Sequence, residues 1–214
     1  MPFISLGFAC LVRQSIDIYN GFRVETNFFD WLMTNFKTVL FIIQHIDDLD
    51  AFLTYDRFSD KGMTDNNPTH RYVDHKELYL ISLHDFPVHM DYWEYVPIFL
   101  EKYKRRAERL KNIIQTCEEK IDFMHYIPYE KDIPSIADIY HFVTTIKNIN
   151  KDCNFCLHLC IPPELHIHKE QINELKICSN VEIHYLISND EEITLQRTDL
   201  NWKDLYNSIK NKLT

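Results

Sequence analysis

The chain has 214 residues, 45% hydrophobic and 14% aromatic, enough for one substantial packed domain. Its 32 acidic residues outnumber 23 basic ones, and the net charge of −9 argues against a general nucleic-acid binder. No apolar run approaches the roughly 20 residues needed to cross a bilayer, so no membrane partner is expected.

The opening Met1-Pro2-Phe3 lacks the basic region and cleavage site of a secretory leader, so a cytoplasmic location is expected. The six cysteines, at positions 10, 117, 153, 156, 160 and 178, then suit free thiols rather than a disulfide framework.

Phe3 to Leu6 reads as a short strand that breaks at Gly7. An amphipathic helix follows from Leu11 to Asn20, with Gly21 as the left-handed residue past its end. Asn35 to Asp47 has helical spacing of Phe36, Val39, Leu40, Ile43 and Ile46. Ser59 to His75 turns polar, with Lys61-Gly62 and Asn66-Asn67-Pro68, and reads as a mobile loop. Leu78 to Leu83 reads as a buried strand ending at His84-Asp85.

A long helix is expected from Tyr95 to Cys117, with Phe99, Tyr103, Ala107, Leu110 and Ile114 on one face and Pro97 in its first turn. Strands at Ile121–Tyr126, Cys153–Ile161 and Val181–Ile187 then alternate with helices at Ser135–Asn148, Pro162–Leu175 and Trp202–Leu213. Helical connections of this kind imply parallel pairing with right-handed crossovers. The expectation is a single α/β domain over residues 1–214, a three-layer α/β/α arrangement with a mostly parallel sheet of about five strands.

Ligands of an open parallel sheet bind beyond the carboxyl ends of its strands. Those ends carry Gly7 and Cys10, His84 and Asp85, His125 and Tyr126, and Ser188 to Asp190. Cys10, at a helix start, is placed for a depressed thiol pKa, although a small buried residue is the commoner role of cysteine. His84 is the preferred base, against the plainer reading of a surface histidine beside a turn. Asp30, set among aromatics in Asn27-Phe28-Phe29-Asp30-Trp31, could orient a histidine or bind a ligand hydroxyl. It could equally cap a helix or pair with Arg23.

Arg105 and Arg106 could grip a diphosphate, but a solvated helix face with partners such as Glu101 explains them more simply. Cys153, Cys156, His158 and Cys160 invite a zinc reading. At strand spacing Cys153 faces away from the other three, and there is no second CxxC, so no metal is expected.

Several segments resemble a family of bacterial and large-virus proteins provisionally labelled papain-like cysteine peptidases. They are Ile4-Ser5-Leu6-Gly7-Phe8-Ala9-Cys10, Arg23-Val24-Glu25-Thr26, Phe29-Asp30-Trp31-Leu32, His84-Asp85-Phe86, Tyr103 to Arg109 and Ile121 to Tyr126. The chain departs from the family pattern at Phe28, where proline is usual, and at His125, where arginine is common. The resemblance implies a thiol nucleophile at Cys10 with His84 and an acidic orienter, Asp30 or Asp85. If the chain is virus-encoded, its compartment is the host cell.

Three functions follow. The first is a cysteine hydrolase acting on a peptide or small molecule without a cofactor, with N–H groups from Phe8 to Leu11 stabilising the oxyanion. The second is a nucleotide-sugar glycosyltransferase, with Gly7 and the first helix terminus holding an anion, Arg105 or Arg106 on the diphosphate and Asp30 or His84 as base; Ser5 and Arg23 are further ligand-binding candidates. The third is a non-catalytic interaction module. Oligomeric state is not legible at this level.

Overall fold

The computed structural model describes residues 2–20, 25–64, 67–116, 118–188 and 200–211, without the side chains of Ala9, Cys10, Asn20 and Asn67. Two four-stranded sheets organise these residues. One is parallel, built from β1 (Phe3–Ser5), β6 (Ile121–Tyr126), β7 (Phe155–Ile161) and β8 (Val181–Tyr185) in the order β1-β6-β7-β8. The other is antiparallel, built from β2 (Leu32–Thr34), β3 (Phe58–Thr64), β4 (Asn67–His75) and β5 (Leu80–Ser82) in the order β2-β5-β4-β3. The protein is therefore α/β. Among the described residues its parallel sheet has four strands rather than about five, and an antiparallel sheet stands beside it.

Alternation along the central strands explains why both faces of the parallel sheet are covered. Phe123 of β6 and Leu157 and Leu159 of β7 enter the larger apolar cluster, whereas Met124, Tyr126 and Cys160 enter a second one. Helix α4 (Ile136–Ile149) serves the first cluster, together with α2 (Phe36–Gln44) and α3 (Tyr92–Thr116). Helices α1 (Ala9–Asn20) and α6 (Trp202–Asn211) pack together over the second. A five-residue α5 (Lys169–Asn173), flanked by 3-10 turns, connects β7 to β8 in place of the single helix read from Pro162 to Leu175.

Local chemistry sets several boundaries. Ser135 and Asp138 close a capping box at the start of α4. The Asp91 carboxylate accepts the N–H groups of Trp93 and Glu94 at 2.8 and 3.2 Å, starting α3 at Tyr92, earlier than the apolar spacing suggests. Pro97 consequently lies inside that helix and not in its first turn. Gly21, Cys117 and Asp190 lie outside the described residues.

The polar stretch Ser59–His75, expected as a mobile loop, is instead the β3–β4 antiparallel pair. Its backbone groups bond to one another, so the ladder needs few apolar side chains, and among its described residues only Phe58 and Val73 enter the core. Gly62, with φ of 80°, sits where the register shifts between Asp60 and Met63. A left-handed residue at a bulge is a role glycine fills without strain.

The two sheets meet at the end of β1. Thr34 Oγ1 on β2 donates to the Leu6 carbonyl at 3.2 Å. A Cβ on Gly7 would lie 1.9 Å from that same hydroxyl oxygen. Strand β2 thus butts against the turn that carries the chain into α1.

Candidate functional site

The β1–α1 turn is built from two consecutive residues in the left-handed region, Gly7 at φ 91° and Phe8 at φ 63°. Glycine adopts this freely, but a phenylalanine there is held by its surroundings. The Phe8 ring contacts Tyr126 and Tyr129, with centroids 5.8 and 6.1 Å away. Ser5, 1% exposed, accepts the Gly7 N–H on its Oγ at 3.2 Å. Ser5 and Gly7 therefore shape the turn from beneath. Cys10 has its backbone in the first turn of α1; its side chain lies outside the described residues, as does Arg23.

Asp30 is fully buried, and its partner is Arg13 of α1, with Nη1 to Oδ2 at 2.6 Å. The same Oδ2 accepts the Asn27 N–H at 2.7 Å. Arg13 also holds Asp17 and the Glu25 carbonyl. Burial pushes the Asp30 carboxyl up to about 6, against the pull of the Arg13 charge and the Asn27 N–H. Its other oxygen, Oδ1, has no hydrogen-bond partner.

The basic face of α3 gathers this segment. Arg106 donates to the Asp30 carbonyl at 3.2 Å and lies over the Tyr103 ring. Arg109 donates to the Thr26 carbonyl and pairs with Glu25. Arg105 pairs with Glu101 one turn away, as the plainer sequence reading had it. The guanidinium groups named for a diphosphate thus both have protein partners.

Trp31, next to Asp30, is a further non-glycine residue in the left-handed region, at φ 71°. Its ring meets that of His84 edge-on at 6.1 Å, and His70 lies on the same imidazole at 6.3 Å. His84 is exposed, on the loop that follows β5. That loop is fixed because residues 86–88 bond to Thr69 and Arg71 at the start of β4. Partial burial and the neighbouring His70 hold the His84 pKa below its ordinary value, despite the opposing charge of Asp85. The neutral form that can accept a proton is accordingly favoured.

Asp85 is committed to holding the fold. Its carboxylate accepts from Ser82 Oγ at 2.7 Å and Tyr103 OH at 2.8 Å, and it pairs with Lys102. These bonds lock the β5 loop to α3.

The sequence points to Asp30 and His84 but gives no role to Arg13, which pairs with Asp30, or to Trp31, whose ring meets His84. The i, i+4 spacing of Arg13 and Asp17 is the one local signal, and it points equally to a surface ion pair. The sequence places His125 near the end of its strand without assigning it a role. It is fully buried, with Nδ1 3.3 Å from the Leu6 carbonyl and Nε2 without a partner. Burial drives its pKa down to about 4. Of the cysteines, 153, 156, 160 and 178 are buried, and burial pushes the Cys160 thiol up. An open depression lined by Phe58, Asp60, Arg71, Tyr92 and Trp93 lies by the β3–β4 pair and contains none of the residues the sequence pointed to.

Residues 1–162 match the family model described as "Putative papain-like cysteine peptidase (DUF1796)". The chain belongs to this family. The match spans the β1–α1 turn, the Asp30-Trp31 segment, the His84 loop and β6. No curated protein and no solved structure matches the chain. No helix among the described residues is long and apolar enough to cross a membrane.

Proposed function

We propose that this member of the papain-like cysteine peptidase family is a thiol-dependent hydrolase of a peptide or other acyl substrate. Cys10 is the nucleophile and His84 the base. The reading takes the chain as one three-layer α/β domain, supported by a single apolar cluster that draws on both sheets.

The observation that carries the reading is the pair of left-handed residues, Gly7 and Phe8, directly ahead of the helix turn that holds Cys10. A sharp strand-to-helix turn presents a nucleophile at the edge of a sheet and aims the unpaired helix N–H groups at developing negative charge. The same N–H groups favour a thiolate over a thiol.

In the proposed reaction His84 takes the Cys10 proton and the sulfur attacks the acyl carbon. Histidine then protonates the leaving group, and water hydrolyses the thioester. Asp85 is bound to Tyr103, Ser82 and Lys102, which supports a positioning role through the His84 loop. Asp30 acts likewise on α1 through Arg13.

Alkylation of the purified chain by iodoacetamide tests this, with the modified cysteine located by mass spectrometry. Cys10 should react fastest, with a pH profile midpoint below that of a free thiol near ~8.5, and His84→Asn should shift that midpoint. A Cys10 that reacts no faster than a free thiol, in a profile indifferent to His84, would defeat the proposal.

A further inference from the structure

At the far edge of the parallel sheet, away from the β1–α1 turn, β6, β7 and β8 bring four titratable side chains together on one face. Asp122, His158, Glu182 and His184 are adjacent through strand register, with Asp122 opposite Cys156, His158 opposite Glu182 and Cys160 opposite His184. His158 is fully buried, and its Nε2 lies 2.8 Å from Asp122 Oδ1. Its Nδ1 lies 2.9 Å from His184 Nε2. Glu182 Oε2 is 3.7 Å from the first of those two nitrogens and 3.6 Å from the second.

We propose that His158 Nδ1, His184 Nε2 and the Glu182 carboxylate form a binding site for a divalent transition metal of the zinc class. Three arguments converge. The donor atoms form a triangle with edges of 2.9, 3.6 and 3.7 Å, and ligands of a tetrahedral zinc stand roughly 3.3 Å apart, given bonds of about 2.0–2.1 Å.

The second argument is the tautomer of His158. His158 donates its Nε2–H to Asp122, so Nδ1 carries the acceptor lone pair of the ring, met by His184 Nε2 at 2.9 Å and by the Glu182 carboxylate at 3.7 Å. A carboxylate on the outer nitrogen is the usual partner of a metal-binding histidine, fixing its ring and raising its basicity. Such a lone pair and the Glu182 anion are placed to share a cation.

The third argument is charge. Lys120 Nζ lies 3.0 Å from Asp122 Oδ1 and offsets that carboxylate, while Glu182 adds a second carboxylate on the metal side. Strand β8 is the edge of its sheet, and the Glu182 and His184 side chains are 29% and 13% exposed. An ion has a route in, and a water can complete the coordination. This site is separate from the Cys153–Cys160 cysteine spacing. It shares only His158 with that stretch, and its ligands are nitrogen and oxygen.

Titration of the chelator-stripped full chain with zinc against a chromophoric competitor decides the matter, with cobalt(II) absorption reporting the ligand type. One equivalent should bind. His184→Ala and Glu182→Gln, both on the edge strand, should each remove stoichiometric binding, and Asp122→Asn should weaken it roughly 10- to 100-fold. Cobalt should give tetrahedral bands without a thiolate charge-transfer band. No stoichiometric zinc in the wild type, binding that either β8 variant leaves intact, or a thiolate band implicating Cys156 would each overturn the assignment. None of these readouts depends on hydrolase activity, so this proposal and that one fail separately.

Discussion

Arg13 and Asp30 meet 2.6 Å apart with side-chain exposures of 3% and 1%, and this contact ties the first helix to the segment that presents Trp31. A buried pair of this kind adds little beyond a well-packed apolar substitute, yet removing one partner strands the other charge. Arg13→Met is therefore expected to cost about 3–5 kcal/mol in urea unfolding. Adding Asp30→Asn to that variant should recover most of the loss. A double variant no more stable than Arg13→Met alone would show that the arginine acts through packing.

The pH dependence of stability should carry two opposed contributions from buried groups. An unfolded chain protonates His125 near 6.5, whereas the folded chain resists down to about 4. Stability present at neutral pH thus declines across that interval by roughly 3 kcal/mol. Asp30 works the other way. Its folded pKa of about 6 exceeds the ordinary 3.8, so the folded state takes up a proton first and gains stability as pH falls. Between pH 7 and 4, His125→Gln should gain on the wild type and Asp30→Asn should fall behind it, by roughly 3 kcal/mol each. Denaturant unfolding at several pH values measures both, and parallel curves would refute the assignment.

Gly7→Ala should destabilise by about 3 kcal/mol, from the left-handed backbone and the overlap with Thr34 together. In a Thr34→Ala background the hydroxyl is gone, the tightest neighbour is the residue-34 Cβ at 3.3 Å, and the cost should fall toward the backbone share of about 1 kcal/mol. An unchanged cost in that background would mean the Thr34 contact is not what excludes a side chain.

His84 and Asp85, adjacent in sequence, should separate by experiment. Asp85→Ala leaves the buried Tyr103 hydroxyl without its acceptor and is expected to cost about 2 kcal/mol or more. His84→Asn, at an exposed position, should stay within about 0.5 kcal/mol of the wild type while shifting the alkylation profile of Cys10. Equal stability losses in the two variants would put His84 among the structural residues.

Local periodicity and capping carry much of this fold. Phe99, Tyr103, Ala107 and Leu110 at helical spacing give α3, and the apolar runs at Ile121–Tyr126 and Phe155–Ile161 give the central strands. The break at Gly7 was legible too, because a left-handed turn leaves a glycine behind. The tertiary structure alone decided the rest. The β3–β4 pair is held by backbone bonds that polar residues make as well as apolar ones, so its sequence reads as a loop. Asp30 finds Arg13 across 17 positions and His158 finds Asp122 across 36. Charge and hydrogen-bond partners are chosen by proximity in the fold, and no spacing rule along the chain records them.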